Sequence, residues 1–152
     1  MGEKWIYFES PKWRKSWLSP SEAGPLTPRP NRFGKKIMLC VWWDQSSIVY
    51  YKLLEHGKTV NAERYHQQMI NLNHALIEKR PEWAKRHGKV ILLHDIAPSH
   101  TSKLANDTLK SLGCDTLSPP LYFFDLAASD YHLFSSMGYA LAEQHFSNFE
   151  EV

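Results

Sequence analysis

Two aspartates and three histidines hold the positions from which this chain could do chemistry. Asp95 directly follows an apolar run, Val90 to His94, and ligands in open α/β sheets bind at the carboxyl ends of strands. Asp130 falls in the first turn of a helix that Ser129 can cap, on the face that also carries Phe134, Met137 and Leu141. Read singly, Asp130 is a partner of the helix dipole, worth ~0.3–1 kcal/mol, and Asp95 is ordinary turn material. Read together, they suit a hard divalent cation. Mg²⁺ takes one or two carboxylates, keeps several waters and fills its shell with phosphate oxygens. Two such ions about 3.5–4 Å apart can activate a water and stabilise the leaving oxygen of a phosphodiester. His94 and His100 flank Asp95, and His132 follows Asp130, so a zinc hydrolase is conceivable. The usual zinc signature, two histidines around a glutamate on one helical turn, is missing, as is any glycine-rich phosphate loop.

The elements that must position these residues can be read in order. Trp5 to Phe8 is short, aromatic and β-branched, and reads as a strand. Ser10 to Arg32 carries five prolines and cannot sustain a helix or a central strand. Within it Trp13 and Trp17 sit among Lys12, Arg14 and Lys15, either folded back on the domain or laid against nucleic acid or a partner protein. Lys36–Trp43 and Ile48–Leu54 read as a hairpin around the turn Asp44-Gln45-Ser46-Ser47. Thr59 or Asn61 can cap a helix running to about Lys79, with Tyr65, Met69, Leu72 and Leu76 at helical spacing on its core face. Val90–His94 reads as a fully buried strand. Ser102 to Leu112 reads as a helix with Leu104, Ala105, Leu109 and Leu112 inward, stopped by Gly113. Cys114–Leu117 is a short strand and the last helix starts at Ser129. An antiparallel hairpin followed by α/β crossovers predicts a mixed sheet with helices packed on it, an α/β (α+β) fold.

Composition narrows the class without naming a partner. The chain has 152 residues, 43% hydrophobic and 22% charged, which suits one folded domain with a core of its own. No apolar run approaches the ~20 residues of a membrane helix, and the start lacks the apolar core of a signal peptide. Cys40 and Cys114 cannot make a disulfide framework or a four-thiolate zinc site. Net charge is only +2, but residues 1–40 carry eight basic against three acidic side chains, while residues 113–152 carry six acids and no Lys or Arg. Such a basic front could meet a polyanion and the acidic back a cation, unless both are simply solvated surfaces.

Several stretches together resemble the catalytic domain of a mariner-family transposase. They are Glu3-Lys4-Trp5-Ile6, Arg29-Pro30-Asn31-Arg32-Phe33-Gly34-Lys35-Lys36, Cys40-Val41-Trp42-Trp43-Asp44-Gln45-Ser46, Leu93-His94-Asp95-Ile96-Ala97-Pro98-Ser99-His100, and Asp125-Leu126-Ala127-Ala128-Ser129-Asp130-Tyr131-His132-Leu133-Phe134. Between Asp95 and Asp130 lie 34 residues, the family's spacing between its second and third catalytic aspartates. The resemblance implies a ribonuclease H-like fold, with Asp95 and Asp130 as catalytic ligands of Mg²⁺ or Mn²⁺, rather than Asp125. It implies DNA strand cleavage and strand transfer at transposon inverted-repeat ends, insertion at TA dinucleotides, a homodimer on DNA, and action in the nucleus. Residues 10–32 match the family's dimer-bridging clamp loop, so Lys12, Trp13, Arg14, Lys15, Trp17, Arg32 and Lys35 are expected at DNA or at the dimer contact.

Departures from the family pattern shape the expectation of activity. The family's first aspartate stands directly before Glu-Lys-Trp, where this chain has Gly2. Glu3 should not replace it, because successive side chains on a strand face opposite ways. Ile96 replaces Asn, Phe123-Phe124 replaces Ser-Pro, and Ala128 replaces Pro. Residues 1–152 are thus expected to form a single incomplete catalytic domain, truncated at both ends, without the helix-turn-helix DNA-binding region that precedes it in the family. With two of three carboxylates the chain is expected to be inactive as written. The alternative is a domesticated DNA-binding or dimerisation module that keeps the fold without the catalysis, recognisable by salt-sensitive DNA binding.

Overall fold

The computed structural model describes residues 1–9, 33–82, 90–117, 129–141 and 144–152, with the side chains of 129–131 excepted. Its centre is the strand β2, Lys36–Trp43. Ile37, Leu39 and Val41 point to one face of it and Met38, Cys40 and Trp42 to the other, and all six are buried. A strand covered on both faces needs an apolar residue at nearly every position, and Ile-Met-Leu-Cys-Val-Trp provides one. β1, Gly2–Tyr7, and β3, Ile48–Leu54, flank it as antiparallel neighbours, in the order β1-β2-β3. The hairpin bounds are those expected from sequence, whereas β1 begins three residues earlier than the aromatic run suggested.

One face of this sheet is covered by α1, Ala62–Lys79, and α2, Lys103–Ser111. Asn61 caps α1 by accepting from the Arg64 N–H, and Ser102 caps α2 by accepting from the Ala105 N–H. Tyr65, Met69 and Leu72 of α1 and Ala105 and Leu109 of α2 enter one core with Met38, Cys40 and Trp42. Leu104, expected inward, is 41% exposed; Thr108 takes the buried position instead, with its hydroxyl 2.6 Å from His66 Nδ1 of α1. The opposite face buries Ile6, Phe8, Ile37, Leu39 and Val41 against Phe134. That ring ends a π-helical turn, Ser129–Phe134, which runs on into α3, Ser135–Leu141. Met137 and Leu141 pack at the margin of the same core.

β4, Val90–Leu93, and β5, Cys114–Leu117, form a parallel pair joined through α2. The Met1 nitrogen donates to the Leu93 carbonyl at 3.0 Å, which lays the start of β1 beside the end of β4. Among the described residues β4 is not buried on both faces as expected. Leu92 packs on the helices, while Ile91 and Leu93 are 68% and 49% exposed on the other side. Among the described residues the strands form two sheets, antiparallel β1-β2-β3 and parallel β4-β5, where one mixed sheet was expected, because β1 and β4 meet only at their ends; the helices on both faces agree with the ribonuclease H-like fold that the resemblance implied. No described helix is long and apolar enough to cross a membrane.

The far end of the hairpin is tied to α1 by a bidentate ion pair. Asp44 Oδ1 accepts from the N–H groups of Ser46 and Ser47, which folds the turn. Arg80, capping the end of α1, donates Nε to Asp44 Oδ2 at 2.9 Å and Nη2 to Oδ1 at 3.2 Å. The Arg80 hydrogen bonds, helped by the Ser46 and Ser47 N–H groups against desolvation, hold the Asp44 carboxyl down at about 2. A depressed folded-state value means stability that is present above the ordinary carboxylate range and is lost as pH falls toward 2. Asp44→Asn should therefore lower the melting temperature at pH 7 by a few degrees and narrow the gap to wild type between pH 4 and 2. Thermal melts across that range test it, and a gap that does not change with pH would contradict the assignment.

Candidate metal and phosphodiester site

The site is built where the end of β4 meets the start of β1. The chain leaves β4 through Asp95-Ile96-Ala97-Pro98-Ser99-His100, a compact turn. Asp95 Oδ1 accepts from the Ala97 N–H at 3.2 Å, and the N–H groups of His100 and Thr101 both donate to the Ala97 carbonyl. This folding returns His100 to Asp95, five residues back. His100 Nδ1 stands 2.5 Å from Asp95 Oδ1, and its Nε2 stands 3.0 Å from Glu3 Oε1. The imidazole itself is wholly buried, whereas the side chains of Glu3 and Asp95 are 22% and 56% exposed. Tyr65 of α1 lies on the imidazole with ring centres 4.3 Å apart, and its hydroxyl is 3.4 Å from Nδ1 of buried His94.

Charges in this cluster are set by burial and by partners. Burial alone would lower the pKa of His100, but hydrogen bonds and charge from Asp95 and Glu3 override it and hold the group at about 9. His94, with burial and the neighbouring His100 against it, is shifted downward. The His100 hydrogen bond keeps the Asp95 carboxyl below its ordinary range against partial desolvation, and the Ala97 N–H adds to the effect.

Of the sequence-derived site residues, Asp95 stands at the carboxyl end of β4 as expected. Asp130 lies in the π-helical turn, one turn before Phe134, whose ring is buried against β1; the Asp130 side chain is outside the described part. Lys12, Trp13, Arg14, Lys15, Trp17, Arg32 and Asp125 also lie outside the described residues. Lys35 is exposed just before β2, where its carbonyl accepts from the Phe8 N–H. Glu3, set aside on strand alternation as a replacement for the first aspartate, nonetheless joins the site. Its side chain does point away from Lys4, Ile6 and Phe134, as strand alternation demands, yet it is joined to Asp95 through His100. The signal that could have revealed this is the pairing of an acid on β1 with a histidine five residues after another acid, legible only once β1 and β4 are known to be neighbours.

The donor chemistry fits a hard cation in part. Both bonds to Asp95 fall on Oδ1, and Oδ2 of this half-exposed carboxylate carries neither. A carboxylate oxygen unbonded among the described residues, plus waters, suits Mg²⁺ or Mn²⁺. Both nitrogens of His100 are engaged and cannot also ligate, and Gly2 adds no donor. Among the described residues no cage of three or more metal-ligating side chains is formed.

Comparison with known proteins places this geometry. The family model described as Transposase (partial DDE domain) matches residues 7–86. The Mariner Mos1 transposase of Drosophila mauritiana is 59% identical over 150 residues, covering 99% of this chain and 44% of that protein. A pre-cleavage Mos1 transpososome superposes with a TM-score of 0.86 at 58% identity, covering 98% of this chain and 44% of the other. The mariner Mos1 paired end complex with Mg superposes with a TM-score of 0.83 at 58% identity, over 98% and 43%. This chain thus spans less than half the length of the curated relatives it matches.

Cys40 sits opposite Glu3 in the β1–β2 register and is wholly buried. Burial first, and then the Glu3 charge, pushes its thiol up to about 12. Cys114 is only partly buried. In the native protein an aromatic disulfide reagent at pH 8 should label Cys114 and leave Cys40 untouched until denaturant is added. Rapid native labelling of Cys40, mapped by mass spectrometry, would contradict this packing around Glu3.

Proposed function

The chain belongs to the mariner family of transposases, in its DDE domain, and on that premise we propose that it is the core of a metal-dependent DNA strand-cleaving and strand-transferring enzyme. Its substrates are transposon inverted-repeat ends and a TA target. The observation that supports this most directly is the half-exposed Asp95 carboxylate at the end of β4, fixed through Oδ1, with no bond to Oδ2 from the described residues. Asp95, through Oδ2, and Asp130 would hold Mg²⁺ or Mn²⁺. When bound, the ion supplies Lewis-acid charge to the scissile phosphate and to the attacking oxygen. The chain's own task is to orient Asp95, to keep His94 and His100 from competing as ligands, and to bring the Asp130 helix against β1.

The Mos1 paired end complex with Mg supports the choice of cation, and the Mos1 paired-end complexes support paired DNA ends and a homodimer as partners. We read residues 1–152 as part of a ribonuclease H-like domain with 10–32 as its clamp-like segment, acting in the nucleus. Gly2 favours a second reading, a domesticated DNA-binding or dimerisation module that has kept the fold without catalysis.

Nicking of a duplex carrying a transposon end, with Mn²⁺ present, separates these readings. Gly2→Asp should nick faster than the unmodified chain by about 10²-fold or more, the scale of one lost electrostatic stabiliser. Asp95→Ala in the Gly2→Asp background should abolish that gain. Equal nicking with and without Asp95 would overturn the site. Salt-sensitive DNA binding with no nicking by either the unmodified chain or Gly2→Asp would favour the module.

A further inference from the structure

Building on the metal-site reading above, we propose that Glu3 and His100 are positioning residues for Asp95. The Glu3 carboxylate fixes the imidazole through Nε2, the imidazole fixes Asp95 Oδ1 through Nδ1, and Asp95 Oδ2 is thereby presented to a divalent cation.

Three observations carry this. First, His100 is wholly buried and bonded at both ring nitrogens, so it cannot pivot and is not a ligand itself. Second, its ring is packed under Tyr65 of α1. The direction of Nδ1 is thus set by three separate elements: β1, α1 and the turn after β4. Third, one of its partners is a side chain more than half exposed. An exposed acid adds little to stability, and a buried histidine could be satisfied as well by a backbone carbonyl. Spending the imidazole's N–H on an exposed carboxylate makes sense if that carboxylate has to be held still. Asp95 free in solvent would sample several rotamers, and the two bonds on Oδ1, from His100 and Ala97, remove that freedom before an ion arrives. Outer partners that orient a ligating group in this way typically change metal affinity 10–100-fold when removed.

The imidazole can be divided into its two halves by substitution. An asparagine amide nitrogen at position 100 falls near the place of Nδ1, and a glutamine amide nitrogen near that of Nε2. His100→Asn should therefore keep the Asp95 bond, His100→Gln the Glu3 bond, and His100→Phe neither. Mn²⁺ affinity of the full chain, read from the free-ion electron paramagnetic resonance signal, is measured beside thermal melts. His100→Asn should stay within a few-fold of wild type, while His100→Gln and His100→Phe weaken Mn²⁺ by about tenfold or more. The asparagine and glutamine variants should melt at similar, lowered temperatures. At the partly exposed Glu3, Glu3→Gln keeps an acceptor and should bind near normally, while Glu3→Leu, which like His100→Asn loses the outer link but keeps the Asp95 bond, should weaken Mn²⁺ by a few-fold. This pair carries the test if the position 100 variants fail to fold. Affinity that simply follows melting temperature across the set would show a structural role alone and overturn the proposal, as would unchanged affinity in both His100→Gln and Glu3→Leu. Mn²⁺ binding that survives Asp95→Ala would instead overturn the metal reading itself.

Discussion

An imidazole with no contact to solvent, bonded by an acid on each ring nitrogen, is the constraint on which the site depends. Taking His100 out of water is unfavourable unless both nitrogens find partners, because a buried polar group left unpaired costs ~1–3 kcal/mol. Glu3 comes from the first strand and Asp95 from the end of the fourth. Satisfying one ring therefore fixes the approach of β1 to β4, the edge along which the hairpin sheet and the parallel pair come together. Removing either acid would leave the buried group half satisfied. Breaking a buried pair on one side costs ~3–5 kcal/mol in general, and the exposure of Asp95 reduces that figure on its side. Rigidity at Asp95 thus comes from the needs of the histidine.

Strand alternation then divides the labour between the two faces of β1. Glu3 and Trp5 point toward α1, where His100 and the core around Cys40 lie. Lys4 and Ile6 point toward the helix that carries Asp130: the Lys4 ammonium lies 5.3 Å from the centre of the Phe134 ring, and Ile6 shares a core with it. Position 2 shares the parity of Lys4 and Ile6. A carboxylate there would emerge on the Asp130 side of the strand, whereas Glu3 emerges on the His100 side. Moving an acid by one residue along β1 cannot move it across the sheet. For this reason Glu3 supports Asp95 from behind and does not stand in for an acid at position 2.

Much of the frame was legible because its signals are local. The hairpin turn announces itself through Asp44, whose carboxylate folds Ser46 and Ser47 around it, and the bounds of β2 and β3 follow. Asn61 and Ser102 cap where their residue types suggest. What escaped depends on partners distant in sequence. Val-Ile-Leu-Leu reads as an interior strand, but only the face of β4 that carries Leu92 meets the helices among the described residues. Leu104 and Thr108 lie on neighbouring turns, and a hydroxyl won the buried place because His66 of α1 offers it a hydrogen bond. Likewise, the role of Glu3 could not be read without knowing that β1 begins at Gly2, beside the end of β4.

The same division of labour separates the fold from its chemistry. The core of β2, the two capped helices, the Asp44–Arg80 tie and the Glu3–His100–Asp95 chain all form without a carboxylate at position 2. A glycine there places no carboxylate on one face of β1 and leaves every bond on the other face in place. Loss of catalytic charge and loss of fold are therefore independent events in this architecture. A chain that has lost the first can still present an ordered Asp95, a buried histidine behind it and a rigid strand edge, and selection for DNA binding alone would have a stable scaffold on which to act.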